Sequence, residues 1–257
     1  MKDGKTLNTR LEIIRGLKME FGYISPSFIN TTKGGNKVLL HDALVLLCVK
    51  KISHMQDLMP ALELAQGKQL LIIAEDVDSE ALSTLVLNRV KKGMQVCAVK
   101  TSEFTTSNQF HILKDIATAT GATLFGSEEF SEANLETIKL SDFGKVGEAQ
   151  ITKDSTLLLN CKGDKTKLEK RLKQLSNEIE SISLSTPSSE FVSSAELERE
   201  RLKARFAKLT NGVAIIHVGG ISEVHVNEQI DIIIDALNAT KCAIEEGIFI
   251  ELMIFAL

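Results

Sequence analysis

The side chains in this sequence that could bind a metal or act as nucleophiles are its cysteines and histidines. They are scattered, at Cys48, Cys97, Cys161 and Cys242 and at His41, His54, His111, His217 and His225. A zinc site takes its ligands from closely spaced pairs such as CxxC or HExxH, and the sequence contains neither pattern. We therefore expect no metal site. The isolated cysteines predict free thiols in a reducing compartment and not a disulfide framework.

A glycine pair, Gly219-Gly220, is the candidate for a phosphate site. Apolar residues predict a buried strand before it, over Val213–Val218, and a second strand after it, over residues 222–226, followed by a helix over residues 228–246. Phosphate binds where a glycine turn opens directly into a helix N-terminus. A turn between two strands lacks that N-terminus, so a small-molecule α/β enzyme with a phosphate site here is the less favoured hypothesis.

Composition limits the classes of partner. The chain has 257 residues, 44% of them apolar, and a net charge of −4. Nucleic-acid proteins usually carry a strong basic bias, and a chain with no Trp and one Tyr has few rings for stacking on bases. No apolar run reaches 18 residues, and the N-terminal residues lack the apolar core of a signal peptide, so we expect neither nucleic-acid nor membrane partners.

The elements that must position any site alternate between strands and helices, which predicts an α/β fold with a parallel sheet. The predicted strands cover residues 37–40, 43–50, 69–74, 94–100 and 122–125, and the predicted helices cover residues 53–65, 79–91 and 109–120. A further strand pair, 150–153 and 156–160, surrounds a short turn.

The second half of the chain predicts a helical hairpin. Lys165–Leu184 places Leu or Ile at alternating spacings of four and three residues, which gives a narrow apolar seam. A Ser-rich linker over residues 184–194 leads to a charged helix over residues 195–209. We expect the two helices to pack antiparallel on the domain, with their charges on a solvated face.

The predicted helix over residues 79–91 has more apolar surface than one face can bury. Leu82, Leu85 and Val86 lie within about 100° of one another, which is one stripe, whereas Leu87 lies about 100° beyond Val86. Exposed apolar surface usually marks a binding site. A helix buried on two sides, or a contact with another subunit, explains the pattern equally well.

The helix before it has a similar character. Ser53 and Gln56 have the spacing of a capping box, and Pro60 predicts a kink. Its apolar residues follow helical spacing and include two methionines, at Met55, Leu58, Met59 and Leu62. The spacing favours core packing, whereas flexible Met side chains suit a surface that binds many shapes.

Several long motifs together resemble one family. GYISPSFIN, KKISHMQDLMPALE, LLIIAEDVDSEALSTLVLNRV and KDIATATGATL are similar to the apical domain of a group I chaperonin, the GroEL family, and DALNATKCAIEEG is similar to that family's intermediate domain. The resemblance implies an α/β fold in which sheet layers flanked by helices and a helical hairpin form a GroEL-like apical domain, with a small α+β part of the intermediate domain.

The resemblance also implies domain bounds and a location. Residues 15–212 would form the apical domain, 1–14 and 213–247 parts of the intermediate domain, and 248–257 a divergent apolar tail, without the equatorial ATPase domain. The compartment would be the mitochondrial matrix or plastid stroma in a eukaryote and the cytoplasm in a bacterium.

The function implied is that of a chaperone fragment whose apolar groove binds non-native polypeptides and a GroES-type co-chaperonin, within heptameric rings in the intact family. The positions that match the groove are Tyr23, Ser25, Ser27, Phe28, Met59, Leu62, Leu82, Val86, Leu87 and Asn88. Ser27 stands where an aromatic residue is usual, which should weaken the groove locally. A structural interaction module built on the helical hairpin is a further alternative.

Asp235 is the one catalytic candidate, because it matches the family aspartate that helps to activate water for ATP hydrolysis. The intact family uses ATP and Mg²⁺, but this sequence contains neither a GxxxxGK loop nor the family's GDGTT loop. A carboxylate without a phosphate-binding loop cannot carry out phosphoryl transfer, so we expect no cofactor and no ATPase activity here. Phe21 also stands where the family usually has an arginine that pairs with a glutamate matching Glu223.

Overall fold

The computed structural model describes residues 2–3, 7–31, 36–101, 106–126, 135–184, 192–210 and 212–247. The predicted apolar tail and most of the predicted Ser-rich linker lie outside these residues. The chain divides into two compact units, Ile14–Val213 and a smaller one formed by Met1–Ile13 with Ala214–Leu257.

The strands and helices of the two units are numbered together in chain order. The strands are β1 (Lys2–Asp3), β2 (Arg10–Ile14), β3 (Gly16–Met19), β4 (Val38–Cys48), β5 (Leu70–Ala74), β6 (Val96–Lys100), β7 (Leu124–Phe125), β8 (Gly144–Ile151), β9 (Thr156–Cys161) and β10 (Val213–Val218). The helices are α1 (Met55–Leu64), α2 (Ser79–Lys92), α3 (Thr106–Thr120), α4 (Lys165–Leu184), α5 (Val192–Thr210) and α6 (Glu223–Glu246). Short 3-10 turns lie at Pro26–Phe28, Leu135–Thr137 and Leu140–Asp142.

The main sheet of the larger unit is mixed and not wholly parallel. Its strand order is β3-β9-β8-β4-β5-β6, with β7 also paired to β4. The β4, β5, β6 and β7 pairings are parallel, as the alternation of strands and helices predicts, whereas β8 pairs antiparallel with both β4 and β9, and β9 with β3. All residues of β5 are buried, as expected for a central strand covered on both faces.

One predicted break in this sheet is wrong. The sequence indicated two strands, 37–40 and 43–50, but β4 is continuous because its pairing register with β8 is the same on both sides of Asp42. Asp42 takes a positive φ of 47°, and its carboxylate accepts a hydrogen bond from Lys162 at 2.9 Å. That bond holds the pKa of Asp42 below its ordinary value.

The helical pair α4 and α5 is anchored to the sheet layer by buried charges. The helices contact each other, and both contact α3. Asp115 of α3 accepts hydrogen bonds from Arg171 Nε of α4 at 3.0 Å and from Arg205 Nε of α5 at 2.8 Å. All three side chains are about nine-tenths buried. The prediction that the charges of this pair form a solvated face is therefore wrong for these two arginines.

The smaller unit pairs its strands in the order β1-β10-β2. The predicted strand over residues 222–226 is wrong, because α6 begins at Glu223. Ser222 caps this helix, and its Oγ accepts a hydrogen bond from the His225 amide. Several apolar side chains of α6 are exposed, among them Ile232, Leu237 and Ile244.

The fold is thus mixed α/β, as predicted at the level of class. Within the described residues, no helix combines the length and the apolar character needed to cross a membrane.

Candidate functional site

The outer surface of α2 is apolar after its inner face has been buried. Ala81 and Leu85 are completely buried against the core, and Leu82 and Val86 pack on the edge of that core. Leu87 is 48% exposed and Val90 is 74% exposed. The helix is therefore not buried on both sides, and its surplus apolar residues lie at the surface.

The neighbouring helix α1 also has both buried and exposed apolar side chains. Met55, Leu58 and Leu62 are buried, whereas Met59 is 44% exposed. The helix continues through Pro60, and it contacts α2. Met59 and Leu87 are thus exposed apolar side chains on two helices that contact each other.

The N-terminal ends of the two helices are tied together by polar contacts. The predicted capping box is wrong, because α1 begins after His54 with no side-chain cap. The Ser53 hydroxyl instead donates to Asp78 Oδ1 at 2.9 Å, directly before α2. A hydrogen bond from Lys51, followed by the one from Ser53, holds the pKa of Asp78 below its ordinary value.

An extended segment runs beside α2 and ends in the 3-10 turn Pro26–Phe28. It is attached to the sheet through its backbone, since the Ile24 amide donates to the Ala98 carbonyl at 3.0 Å and the Tyr23 amide to the Thr152 carbonyl at 3.1 Å. Ser25 caps the turn by accepting a hydrogen bond from the Ser27 amide at 3.2 Å. The turn contacts both α2 and β6.

Two of the predicted groove residues are buried. Phe28 is completely buried in the core and Leu62 almost so, so in this conformation neither presents its side chain to a partner. Both side chains belong to the hydrophobic core. Ser27 is exposed, and Tyr23, Ser25 and Asn88 are half-buried.

We keep the name groove, from the sequence prediction, for the surface of α1, α2 and the segment 23–29. It brings together elements that are far apart in the chain. The predicted residues with side chains wholly or partly at its surface are Tyr23, Ser25, Ser27, Met59, Leu82, Val86, Leu87 and Asn88.

Arg89 holds the groove together, and the sequence analysis missed it. Its Nε donates to the Ser27 carbonyl and its Nη2 to the Ile29 carbonyl, each at 3.0 Å. The third nitrogen, Nη1, is buried and has no hydrogen-bond partner among the described residues. This arginine joins the extended segment to α2. One indication of this role was present in the sequence, because Arg89 follows Asn88 within the motif that resembles the chaperonin family.

Replacing Arg89 with methionine should loosen the 3-10 turn while leaving the helix intact. A hydrogen bond from a charged donor contributes about 1.5 kcal/mol, so the Phe28 and Ile29 amides should exchange with solvent about tenfold faster. Hydrogen exchange measured by NMR tests this. The control is Lys92→Met, an exposed change on the same helix. Unchanged exchange in Arg89→Met, or equal acceleration in both variants, would contradict the role assigned to Arg89.

Asp235 belongs to α6 of the smaller unit, and its side chain is exposed. No group of three or more His, Cys, Asp or Glu side chains suited to a metal ion occurs in the described part of the chain. All four cysteines are free thiols. Burial raises the pKa of Cys97 to about 12 and that of Cys161 to about 11, so both are protonated at neutral pH and are poor nucleophiles.

The glycine pair Gly219-Gly220 precedes the helix α6 and not a strand, so the prediction of a turn between two strands is wrong. The space and the amides at this turn are nevertheless occupied by the chain itself. A Cβ on Gly219 would lie 2.6 Å from backbone atoms of Leu7 and Asn8, so the chain itself fills the space beside the turn. The Gly219 amide donates to Thr9 Oγ1 at 3.3 Å, and the His225 amide to Ser222. These amides are therefore not available to a phosphate.

Known proteins with similar sequences have related names. The chain is 51% identical over 250 residues to the "60 kDa heat shock protein homolog 2, mitochondrial" of Drosophila melanogaster, a match that covers 96% of this chain and 41% of that protein. It is also 51% identical to the "Chaperonin homolog Hsp-60, mitochondrial" of Caenorhabditis elegans, over 96% of this chain and 42% of that protein.

A plant relative agrees with these matches. The "Chaperonin CPN60-like 1, mitochondrial" of Arabidopsis thaliana is 42% identical over 96% of this chain and 40% of its own length. No protein-family model matches the chain. The chain spans about two fifths of the length of the curated relatives it matches.

Proposed function

Because the chain belongs to the group I chaperonin family, the GroEL family, we propose that its groove binds non-native polypeptides. The observation that carries the proposal is the exposed apolar surface of α2, where Leu87 and Val90 remain at the surface although the inner face of the helix is filled. A GroES-type co-chaperonin would use the same surface.

The groove has the properties that binding of non-native chains requires. Such chains present apolar side chains in no fixed geometry, so a binding surface must gain from many weak contacts and not from one shaped pocket. Met59 and Leu87 have flexible side chains, which can adapt to different partners. Complete burial of one such side chain contributes about 1.5–3 kcal/mol, so several partial burials together hold a client.

The test is a pair of matched serine variants. Leu87→Ser should weaken binding of a denatured client, measured as suppression of its aggregation without ATP, by about threefold to tenfold. Leu197→Ser is the control, because Leu197 lies on α5 and is 50% exposed, almost the same as Leu87 at 48%. The free energy of unfolding of both variants should stay within about 0.5 kcal/mol of the original value.

The same two serine variants distinguish polypeptide binding at the groove from the alternative function. A structural interaction module built on α4 and α5 predicts that Leu197→Ser weakens binding and that Leu87→Ser has no effect. Equal suppression of aggregation by the original chain and Leu87→Ser would remove the groove from the proposal.

We assign the larger unit, Ile14–Val213, to the apical domain of the family and the smaller unit to parts of the intermediate domain. The division of the chain supports this, because it falls within one residue of the bounds expected from the resemblance. In the whole protein, ATP-driven folding in heptameric rings would follow. The names of the relatives favour the mitochondrial matrix in a eukaryotic source.

Asp235 would contribute to ATP hydrolysis only together with groups that this chain does not supply. Its exposed carboxylate could help to orient a water molecule, but phosphoryl transfer also needs donors around the phosphates and a metal ion. We therefore propose that polypeptide binding by this chain is independent of ATP and Mg²⁺.

A further inference from the structure

A second apolar site lies in the larger unit, away from α1 and α2. A partly open cavity of about 150 Å³ lies between α3, α5 and the chain from β3 to Phe21. Its apolar lining consists of Leu17, Met19, Phe21, Ile112, Ile116, Ala204 and Leu209. A volume of about this size is large enough for a benzene-sized group, and the aliphatic and aromatic side chains offer it apolar contacts.

The polar lining of the cavity is mainly cationic. Lys18, Arg201, Arg205 and Lys208 line it, against two carboxylates, Glu20 and Asp115. The excess of cations stands out because the chain as a whole carries a net charge of −4. Arg201 is partly compensated by Glu198 at 3.6 Å, whereas Lys18 and Lys208 make no ion pair within the described residues.

One of these cations is held in place before any ligand arrives. Arg205 uses Nε and Nη2 to bind Asp115, at 2.8 Å and 3.0 Å. A guanidinium carries five N–H donors, so the two on Nη1 and the second on Nη2 remain for an acceptor. The buried carboxylate therefore fixes the plane of this guanidinium at the cavity, and a ligand need not order it on binding.

We propose that this cavity binds a small monocarboxylate whose apolar body is about the size of a benzene ring. The apolar lining takes the body of the molecule, and Arg205 with Lys208 takes the carboxylate, since guanidinium and ammonium groups form their strongest hydrogen bonds with anionic oxygens. The site shares no lining residue with the groove and does not depend on polypeptide binding.

The probe is 3-phenylpropionate, titrated into the full chain carrying ¹³C-labelled methyl groups. The Ile112, Ile116 and Leu209 methyl resonances should shift, while those of Met59 and Leu87 should not. The neutral alcohol 3-phenylpropan-1-ol has the same apolar body and should bind about fivefold more weakly, as expected for the loss of one ion pair at a partly exposed site.

A matched pair of lysine variants tests the position of the charge. Lys208→Gln should weaken binding of 3-phenylpropionate by about threefold. Lys203→Gln on the same helix should leave it unchanged, since Lys203 is exposed and does not line the cavity. Absence of shifts in the cavity methyl groups, equal binding of acid and alcohol, or equal weakening by both variants would each overturn the proposal.

Discussion

Replacing Asp115 with alanine should lower the free energy of unfolding by about 3–5 kcal/mol, because removal of one partner leaves buried charges uncompensated. Arg171 and Arg205 both donate to this carboxylate, at 3.0 Å and 2.8 Å. Without it, the two guanidinium groups would repel each other in a poorly hydrated site. Chemical denaturation followed by circular dichroism measures the loss.

Two controls accompany this variant. Asp154→Ala removes an exposed carboxylate in the turn between β8 and β9 and should change stability by less than about 0.5 kcal/mol. The triple variant Asp115→Ala, Arg171→Met and Arg205→Met removes all three charges and should recover most of the loss. A loss below about 1 kcal/mol for Asp115→Ala would mean that water solvates the two arginines and that the carboxylate does not anchor the helices.

Phe28→Ala should also lower stability by about 3–5 kcal/mol, the usual effect of removing a buried aromatic ring and leaving a cavity. Phe28 is completely buried, and its turn contacts α2 and β6. The main effect of Phe28→Ala should therefore be a lower free energy of unfolding. Client binding should change only if the shape of the groove changes.

Phe28→Leu separates these two effects. Leucine keeps most of the buried apolar volume, so this variant should bind a denatured client as well as the original chain does. If Phe28→Leu instead abolished client binding with stability almost unchanged, the ring would have to reach the surface, and the buried position of Phe28 would not describe the binding state.

Local periodicity placed Leu87 of α2 outside the main apolar stripe, but it left open whether the helix is buried on two sides. Leu82, Leu85 and Val86 fill one helical stripe, so Leu87 had to lie outside it, and the structure exposes Leu87. This inference needed only residues within two helical turns. The alternation of predicted strands and helices indicated the parallel pairing of β4 with β5 and of β5 with β6, but not the antiparallel pairing of β8.

Contacts between distant residues could not be predicted from local patterns. Ser53 had the spacing of a capping residue, yet its hydroxyl binds Asp78, 25 positions away. The burial of Arg171 did leave a signal, since it lies three residues after Leu168 and four before Leu175. Arg205 is placed likewise between Leu202 and Leu209. Charges at core-facing positions of two helices indicate a buried counterion, but not which carboxylate supplies it.

The start of α6 was missed for a different reason. Alternation around Val224 and Val226 suggested a strand, but Ser222 accepts a hydrogen bond from the His225 amide and so begins a helix. A Ser followed by Glu is a common helix start. Over so short a stretch, the capping signal was the better guide than the alternation.

The unequal burial of the four thiols gives the chain an internal reporter. Cys48 and Cys97 are buried in the main sheet, Cys161 is half-buried with a raised pKa, and Cys242 is exposed. Because an accessible thiolate is the nucleophile that attacks a maleimide, a maleimide dye added to the folded chain labels Cys242 first. Labelling of Cys48 and Cys97 requires that β4 and β6 open, so the order of modification follows local unfolding without any engineered site.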